Sequence, residues 1–269
     1  MKINDMYKIY STAIKTIVLV GICLFSLSAN AQIADSVKKD LLTAPDTVKH
    51  LHSKTWSLVP PVALITYGAM SFVIQPERRF DYYINSDIRR TDPNFHSKAE
   101  SYFQFAPIII VYGLNLTGIS GKNTFIDRTA LLGLSGGFLY LSTTIAKHST
   151  HRLRPNGGDY LSFPSGHTST AFMGAEFLAQ EYSGKSVWYG VAGYVIASTT
   201  GVFRLYNRDH WFSDVVAGAG FGILSTKLSY LVYPYIRNKL THKGKSGKST
   251  LLMPTYQDGV VGINFTMQL

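Results

Sequence analysis

The sequence has little charge and almost no cysteine. Only 16% of its 269 residues are Asp, Glu, Lys or Arg, whereas soluble domains carry about 25%. The single cysteine, Cys23, has no partner within the chain, which excludes a disulfide-stabilised scaffold. Fifteen Phe and 17 Tyr provide enough large apolar side chains for a core, so intrinsic disorder is excluded as well. The length fits one domain with a small appendage.

Acidic residues are also few, with 16 Asp and Glu against 26 Lys and Arg. A basic surface favours phosphorylated substrates, anionic lipid or nucleic acid. The N-terminus indicates export, since an uncharged, mostly apolar run over 16–28 follows several lysines and precedes the small-x-small sequence Ala29-Asn30-Ala31. We therefore predict a signal peptide over 1–31 and an exposed segment over 32–54, and expect no nucleic acid partner. The alternative for 1–31 is an uncleaved membrane anchor.

Long stretches of the middle of the chain contain no charged residue. They are Thr55–Gln75, Ser101–Gly121, Thr129–Ala146, Ser186–Phe203 and Val215–Thr226. Four of them reach or approach the ~20 residues that a helix needs to cross a bilayer. Together with a helical pattern over 167–182, they predict an all-α fold, a six-helix bundle over 55–236 embedded in a membrane. A buried soluble bundle is the alternative.

Two other segments connect or follow these helices. The charged segment 76–100 is a long connection that either covers a site or forms an amphipathic surface helix. Residues 237–269 are predicted to form a basic linker and then a small C-terminal β-hairpin, because Asp258-Gly259 separates two strand-like runs.

Three cations stand at the ends of predicted helices: Lys147, Arg154 and Arg204. In an up-down bundle the junction between helices three and four lies at the same end as the junction between five and six. Three cations gathered there are costly unless an anion joins them. The guanidinium group offers a planar fork that matches phosphate oxygens.

A second feature is the stretch Ser165-Gly166-His167, which opens the fourth predicted helix. The free N–H groups and the dipole at a helix N-terminus favour an anion. Gly166 has no side chain, so an oxyanion can approach the backbone closely. The Ser165 hydroxyl can donate to it, although a plain N-cap is the alternative for this serine.

Two histidines and an aspartate complete the constellation. His210 and Asp214 are four residues apart, which places them on one face of a helix. Asp214 would accept the Nδ1 proton of His210 and leave Nε2 free to attack, and His167 could protonate a leaving oxygen. By itself, the His210–Asp214 spacing is typical of a helix salt pair. Arg152 and Arg208 are predicted to be solvated loop charges, with binding of a second phosphate or a headgroup as the alternative.

Taken together, these stretches resemble the type 2 phosphatidic acid phosphatase superfamily. The matching residues are Lys147 with Arg154-Pro155, then Pro164-Ser165-Gly166-His167, then Arg204 with His210 and Asp214. The chain departs from this signature at Phe203, where the family usually has Ser. The resemblance covers about 130–230 well and the first two helices only by hydrophobic pattern.

The resemblance implies a role for each residue. His210 would be the nucleophile that forms a phosphohistidine, Asp214 would orient it, and His167 would be the general acid. The residues that would hold the phosphoryl oxygens are Lys147, Arg154, Ser165, Gly166 and Arg204. No cofactor and no metal site are expected, because three cations repel Mg²⁺ or Zn²⁺.

These inferences predict a metal-independent phosphatase in the envelope of a Gram-negative-type bacterium. The expected partners are a membrane and a phosphorylated lipid: lipid A phosphate is favoured, and phosphatidylglycerol phosphate, phosphatidic acid or polyprenyl pyrophosphate are possible. The alternatives are a soluble periplasmic acid phosphatase, a vanadate-dependent haloperoxidase and a non-catalytic phospholipid-binding membrane protein. Six full crossings after a cleaved signal would place the site in the cytoplasm, so a periplasmic site requires fewer crossings or a bundle lying in the periplasm.

Overall fold

The computed structural model describes residues 55–241, 250–257 and 260–267. The predicted signal peptide and the exposed segment 32–54 lie outside the described residues, and so does most of the predicted basic linker. The described elements are a 3₁₀ turn at Thr55–Leu58, then α1 (Val59–Met70), α2 (Gln75–Thr91), α3 (Glu100–Phe103), α4 (Ala106–Leu116), α5 (Phe125–Thr150), α6 (Gly166–Tyr182), α7 (Val187–Tyr206), α8 (Phe212–Thr241), β1 (Thr250–Gln257) and β2 (Val260–Met267).

The all-α prediction is confirmed, and each of the six predicted helices is present. The second predicted helix is divided into α3 and α4, because Pro107 stands in the first turn of α4 and a proline cannot donate the hydrogen bond that would continue the preceding helix. The two C-terminal strands pair antiparallel, with Leu252 opposite Phe265. The turn between them lies outside the described residues.

The charged segment that was predicted as a connection contains a helix of its own, α2. Pro76 and Glu77 stand in its first turn, and Arg89 and Arg90 in its last. This arrangement fits a helix, since proline is tolerated at the start and charges of these signs complement the helix dipole. The helix meets α1 at an angle of 85°.

The last helix is longer than predicted. It continues to Thr241, whereas the sequence suggested a linker from Arg237 onward. The Arg237 Nε donates to Asp127 Oδ1 of α5 at 3.0 Å. This ion pair fixes the start of the basic stretch against the bundle, so the linker prediction is wrong for 237–241.

Helices α6 and α8 pack almost backbone to backbone at the centre of the bundle. A Cβ placed on Gly218 of α8 would lie 2.8 Å from the carbonyl oxygen of Ser165, and one on Gly222 would overlap that of Ser169. Only glycine permits so close an approach. This contact presses the start of α6 against the start of α8 and so positions both predicted histidine segments.

Two described helices are long and apolar enough to cross a membrane: α5 and the Phe212–Arg237 part of α8. The bent pair α1 and α2 adds a third span if it is counted as one. Two or three candidate crossings are fewer than the six helices predicted for the bundle, for which the sequence left the number of crossings open. The difference has a structural reason, since α4 is only 11 residues long and α6 buries the carboxylates of Glu176 and Glu181 inside the protein.

Candidate active site

Two chain segments meet at one end of the bundle. Residues 151–165 join α5 to α6, and residues 207–211 join α7 to α8. The Arg154 Nη1 donates to the carbonyl oxygen of Asp209 at 3.2 Å, and the carbonyl oxygen of Ser162 lies 2.7 Å from the His210 Nδ1. The structure therefore brings the three sequence stretches together, at the end where the up-down arrangement places both junctions.

The His210 ring is held in one tautomer. Its Nδ1 lies 2.7 Å from the carbonyl oxygen of Ser162, and because a carbonyl only accepts, Nδ1 carries the proton. The Nε2 atom lies 3.2 Å from the Arg154 Nη1, a group that can only donate. His210 is buried, and its Nε2 lone pair faces the guanidinium group of Arg154.

The predicted hydrogen bond between His210 and Asp214 is replaced by another arrangement. Their Nδ1 and Oδ2 atoms are 3.7 Å apart, which is longer than a hydrogen bond. The reason is that α8 begins at Phe212, so His210 lies in the turn before it and the helical spacing does not apply. Ser162 joins the two residues instead, since its hydroxyl donates to Asp214 Oδ2 at 2.5 Å while its carbonyl holds His210.

Arg152 lies inside the site, and its prediction as a solvated loop charge is wrong. Its Nη1 donates to Asp214 Oδ1 at 2.7 Å, and its Nη2 donates to Asp81 Oδ2 at 2.6 Å. Asp81 belongs to α2 and is buried. The only sequence signal for Arg152 was its position between Lys147 and Arg154, and nothing local in the sequence pointed to Asp81.

The three predicted phosphate-binding cations are already held by acceptors of the protein. The Lys147 Nζ donates to the carbonyl oxygens of Leu161 and Pro164 at 2.6 and 2.8 Å. The Arg154 Nε pairs with Asp159 Oδ1 at 2.7 Å.

Arg204 is paired in the same way. Its Nη1 lies 2.8 Å from Asp209 Oδ2 and 3.2 Å from Glu100 Oε1. The expectation that these cations need an external anion is therefore wrong for the free site, because carboxylates pair with the two arginines and backbone carbonyl oxygens accept from Lys147. Sequence reasoning missed Glu100 and Asp209, which lie in different segments of the chain.

Some donors at the site nevertheless lack a partner. The Arg204 Nε is buried and makes no hydrogen bond to any described residue. Ser165 stands at the N-cap of α6 but does not cap it with its side chain, because its hydroxyl pairs with Thr168 Oγ1 at 2.9 Å. The space that a Cβ on Gly166 would occupy is open. The uncapped N-terminus of α6 and the free guanidinium N–H are suited to bind an oxyanion.

Both histidines are neutral in the free site. The pKa of His210 is lowered to about 4, mainly by burial and also by the cations Arg204 and Arg154, while Asp214 opposes the shift. Burial also lowers the pKa of His167 to about 4, with contributions from Arg204 and His210. A neutral His210 is competent as a nucleophile at neutral pH, whereas His167 must gain a proton before it can act as an acid.

Phe203 packs away from the polar groups. Its ring stacks on those of Phe95 and Phe103, with centroids 6.1 and 6.0 Å apart. The residue therefore ties α7 to α3 and the preceding segment by an apolar contact. Within 55–241, no group of three or more His, Cys, Asp or Glu side chains is arranged to hold a metal ion.

Comparison with known proteins agrees with the sequence motifs. The chain is similar to a lipid A 1-phosphatase from Porphyromonas gingivalis, with 38% identity over 144 residues, which are 52% of this chain and 32% of that protein. It is also similar to a probable lipid phosphate phosphatase 4 from Arabidopsis thaliana, with 34% identity over 125 residues, 38% of this chain and 41% of that protein. The chain thus spans less than half the length of either relative.

Among solved structures, the fold is similar to a transmembrane PAP2-type phosphatidylglycerolphosphate phosphatase from Bacillus subtilis. The TM-score is 0.48 at 20% identity, over 68% of this chain and 98% of that chain. Residues 128–238 match the model of the PAP2 superfamily, the type 2 phosphatidic acid phosphatases. This matched region carries every motif described above, so residues 128–238 of the chain are similar to the PAP2 superfamily.

Proposed function

We propose that this protein is a membrane phosphatase that hydrolyses a phosphate ester of a lipid through a phosphohistidine intermediate. The observation that carries the proposal is the pose of His210. Its Nδ1 proton is fixed on the Ser162 carbonyl, and its Nε2 lone pair lies 3.2 Å from the Arg154 guanidinium. A phosphoryl group bound by Arg154 would stand directly in front of this lone pair.

The first chemical step transfers the phosphoryl group to His210. Its Nε2 forms a bond to phosphorus while the bond from phosphorus to the lipid oxygen breaks. His167 donates a proton to that oxygen, and the lipid alcohol leaves. Arg154, Arg204 and the start of α6 stabilise the charge on the phosphoryl oxygens.

The second step regenerates the enzyme. His167, now neutral, accepts a proton from water, the water oxygen bonds to phosphorus, and the bond from phosphorus to His210 breaks. Inorganic phosphate is released. His167 is neutral in the free site because its pKa is about 4, so an arriving phosphate dianion must supply the negative charge that raises this pKa and allows protonation.

The surface beside the site supports a lipid substrate. Tyr140, Leu141 and Ile145 of α5 are exposed, and Lys147 follows them on the same helix and reaches into the site. An apolar surface next to a phosphate-binding site suits a lipid, because its chains stay in the bilayer while its phosphate enters the site. The similarity to a lipid A 1-phosphatase favours lipid A phosphate within this class. The predicted export signal favours a periplasm-facing site.

Phosphate release from a panel of substrates in mixed micelles tests this function. The panel contains lipid A, phosphatidylglycerol phosphate, phosphatidic acid, polyprenyl pyrophosphate and the water-soluble p-nitrophenyl phosphate. We expect lipid A to react fastest and His210→Ala to abolish its turnover, while His148→Ala, which removes an exposed histidine of α5, retains it. Equal rates on the soluble ester and the lipids would instead favour a non-specific acid phosphatase.

A further inference from the structure

Arg152 connects two buried carboxylates that come from different helices. Asp214 of α8 is fully buried and Asp81 of α2 is 2% exposed. The guanidinium group lies between them, with 2.7 Å to Asp214 Oδ1 and 2.6 Å to Asp81 Oδ2. Ser213 completes the cluster, since its backbone N–H and its hydroxyl donate to Asp81 at 2.8 and 2.6 Å.

The guanidinium group is also held by its aromatic neighbours. Its central carbon lies 5.2 Å from the centroid of the Phe72 ring and 5.6 Å from that of Trp211. Such cation–π contacts add to the two ion pairs. A cation held by two carboxylates and two rings is too constrained to swing toward a substrate, so a direct role for Arg152 in binding phosphate is disfavoured.

The cluster carries a net charge of minus one. Two carboxylates contribute two negative charges, and the single guanidinium cancels one of them. This charge lies on the Nδ1 side of His210, where Asp214 Oδ2 is 3.7 Å from the ring. The opposite side of the ring, at Nε2, faces Arg154. When Nε2 bonds to phosphorus the imidazole becomes cationic, and a negative charge behind it lowers the energy of that state.

We propose, on the basis of the function proposed above, that Arg152 and Asp81 are positioning residues that set the charge behind the nucleophile. Arg152 holds Asp214 in place, and Asp81 restores the negative charge that Arg152 would otherwise cancel. Helix α2 thereby becomes a necessary part of the site rather than a covering segment. It also packs beside His210, since Asn85 and Ile88 border the same small gap as the imidazole ring.

The other charged or titratable groups that face His210 stay constant in the test. They are Arg154 from the segment before α6, His167 from α6 and Arg204 from α7. Changes at Asp81 or Arg152 therefore alter the charge on one side of the ring only.

The experiment removes the charges of Arg152 and Asp81 singly and together, and it measures the pKa of His210 in each variant. Arg152→Gln leaves two uncompensated carboxylates, so the pKa of His210 rises, on the order of one pH unit. The double change Asp81→Asn with Arg152→Gln returns the cluster to minus one, and the pKa returns toward its wild-type value. Arg152→Lys keeps the positive charge but loses the guanidinium group that contacts Asp81 and Asp214 at once. The kcat should therefore fall while the pKa of His210 stays unchanged.

Two measurements report the result. The acid limb of kcat/KM against pH follows His210 during turnover, and NMR of ¹⁵N-labelled histidine in micelles follows it without any substrate. The matched control is Lys227→Gln, which breaks a partly buried ion pair with Glu176, 2.8 Å long, deeper in the bundle. It should lower the unfolding temperature and leave the pKa of His210 unchanged.

The double variant decides between a specific and a merely structural role. If the two residues only hold the fold together, the double variant is perturbed at least as much as Arg152→Gln, and that result overturns the inference. A failure of the proposed function is distinct, because wild type and His210→Ala would then release phosphate from lipids at equal rates. If the Gln variants do not fold, a shifted His210 titration in Arg152→Lys overturns the inference.

Discussion

Replacing Arg154 by lysine tests the role of the planar guanidinium fork. Arg154 makes three contacts at once: Nε to Asp159 at 2.7 Å, and Nη1 to the Asp209 carbonyl and to the His210 Nε2 at 3.2 Å each. A lysine retains the positive charge, but its single ammonium group cannot reach all three acceptors. The proposed transition state loses one charge-assisted hydrogen bond to a phosphoryl oxygen and the alignment of that oxygen with the nucleophile.

The expected loss follows from the strength of that bond. A hydrogen bond to a charged group contributes about 1.5–3 kcal/mol, which corresponds to a decrease in kcat/KM of roughly 10- to 150-fold. Arg154→Ala should lose more, because the charge disappears as well. The assay is phosphate release from lipid A in mixed micelles at pH 7, with the folded state of each variant checked by thermal unfolding.

Arg208→Lys is the matched control. Arg208 lies in the neighbouring turn between α7 and α8, with a positive φ of 54°, and no contact of its side chain contributes to the proposed chemistry. Its kcat/KM should stay within a factor of two of wild type. If Arg154→Lys also stays within a factor of two while remaining folded, then the guanidinium of Arg154 does not bind the phosphoryl group and the reasoning above is wrong.

Three further predictions concern the surrounding structure. Ser162→Ala removes the hydroxyl but keeps the carbonyl oxygen that holds His210; kcat should fall roughly tenfold with little change in KM, and an unchanged kcat would count against a role for this hydroxyl. Gly222→Ala should lower the free energy of unfolding by about 1–3 kcal/mol, measured by denaturant titration, because the new Cβ overlaps α6. The control is Gly136→Ala, which should not destabilise the protein because the space around Gly136 is open. The pKa values of His167 and His210 are about 4 in the folded protein, whereas an unfolded histidine has a pKa of about 6.5. The unfolded state therefore binds more protons, so the unfolding temperature should fall as the pH decreases from 6.5 to 4. Replacing both histidines should weaken this pH dependence.

The helices and their arrangement were accessible from the sequence because their signals are local. Charge-free runs of sufficient length predicted the helices, and the alternation of an up-down bundle predicted that both motif-bearing junctions share one end. The helix between the first two predicted helices was harder to predict. Helix α2 lies in a segment rich in charge, and only its contact with the rest of the fold shows that Asp81 points inward while Arg90 stays on the surface.

The partners of the site residues could not be predicted, since they come from distant parts of the chain. Glu100 and Arg204 are separated by 104 positions, and Asp81 and Arg152 by 71. No local pattern encodes such pairs. The His210–Asp214 spacing misled for a different reason: it assumed that a helix begins before His210, whereas the helix begins after it, at Phe212.

The covalent intermediate provides the most direct test of the account. His167→Gln removes the group that would activate water, and p-nitrophenyl phosphate has a leaving group that needs no proton from His167. A phosphorylated enzyme should therefore accumulate when the variant is mixed with this ester and quenched in alkali, where a phosphohistidine survives. Mass spectrometry should then find one phosphoryl group on the peptide that contains His210, and none when His210 is also replaced by Gln. A phosphoryl group on another residue, or turnover without any phosphorylated enzyme, would contradict the assignment of His210 as the nucleophile.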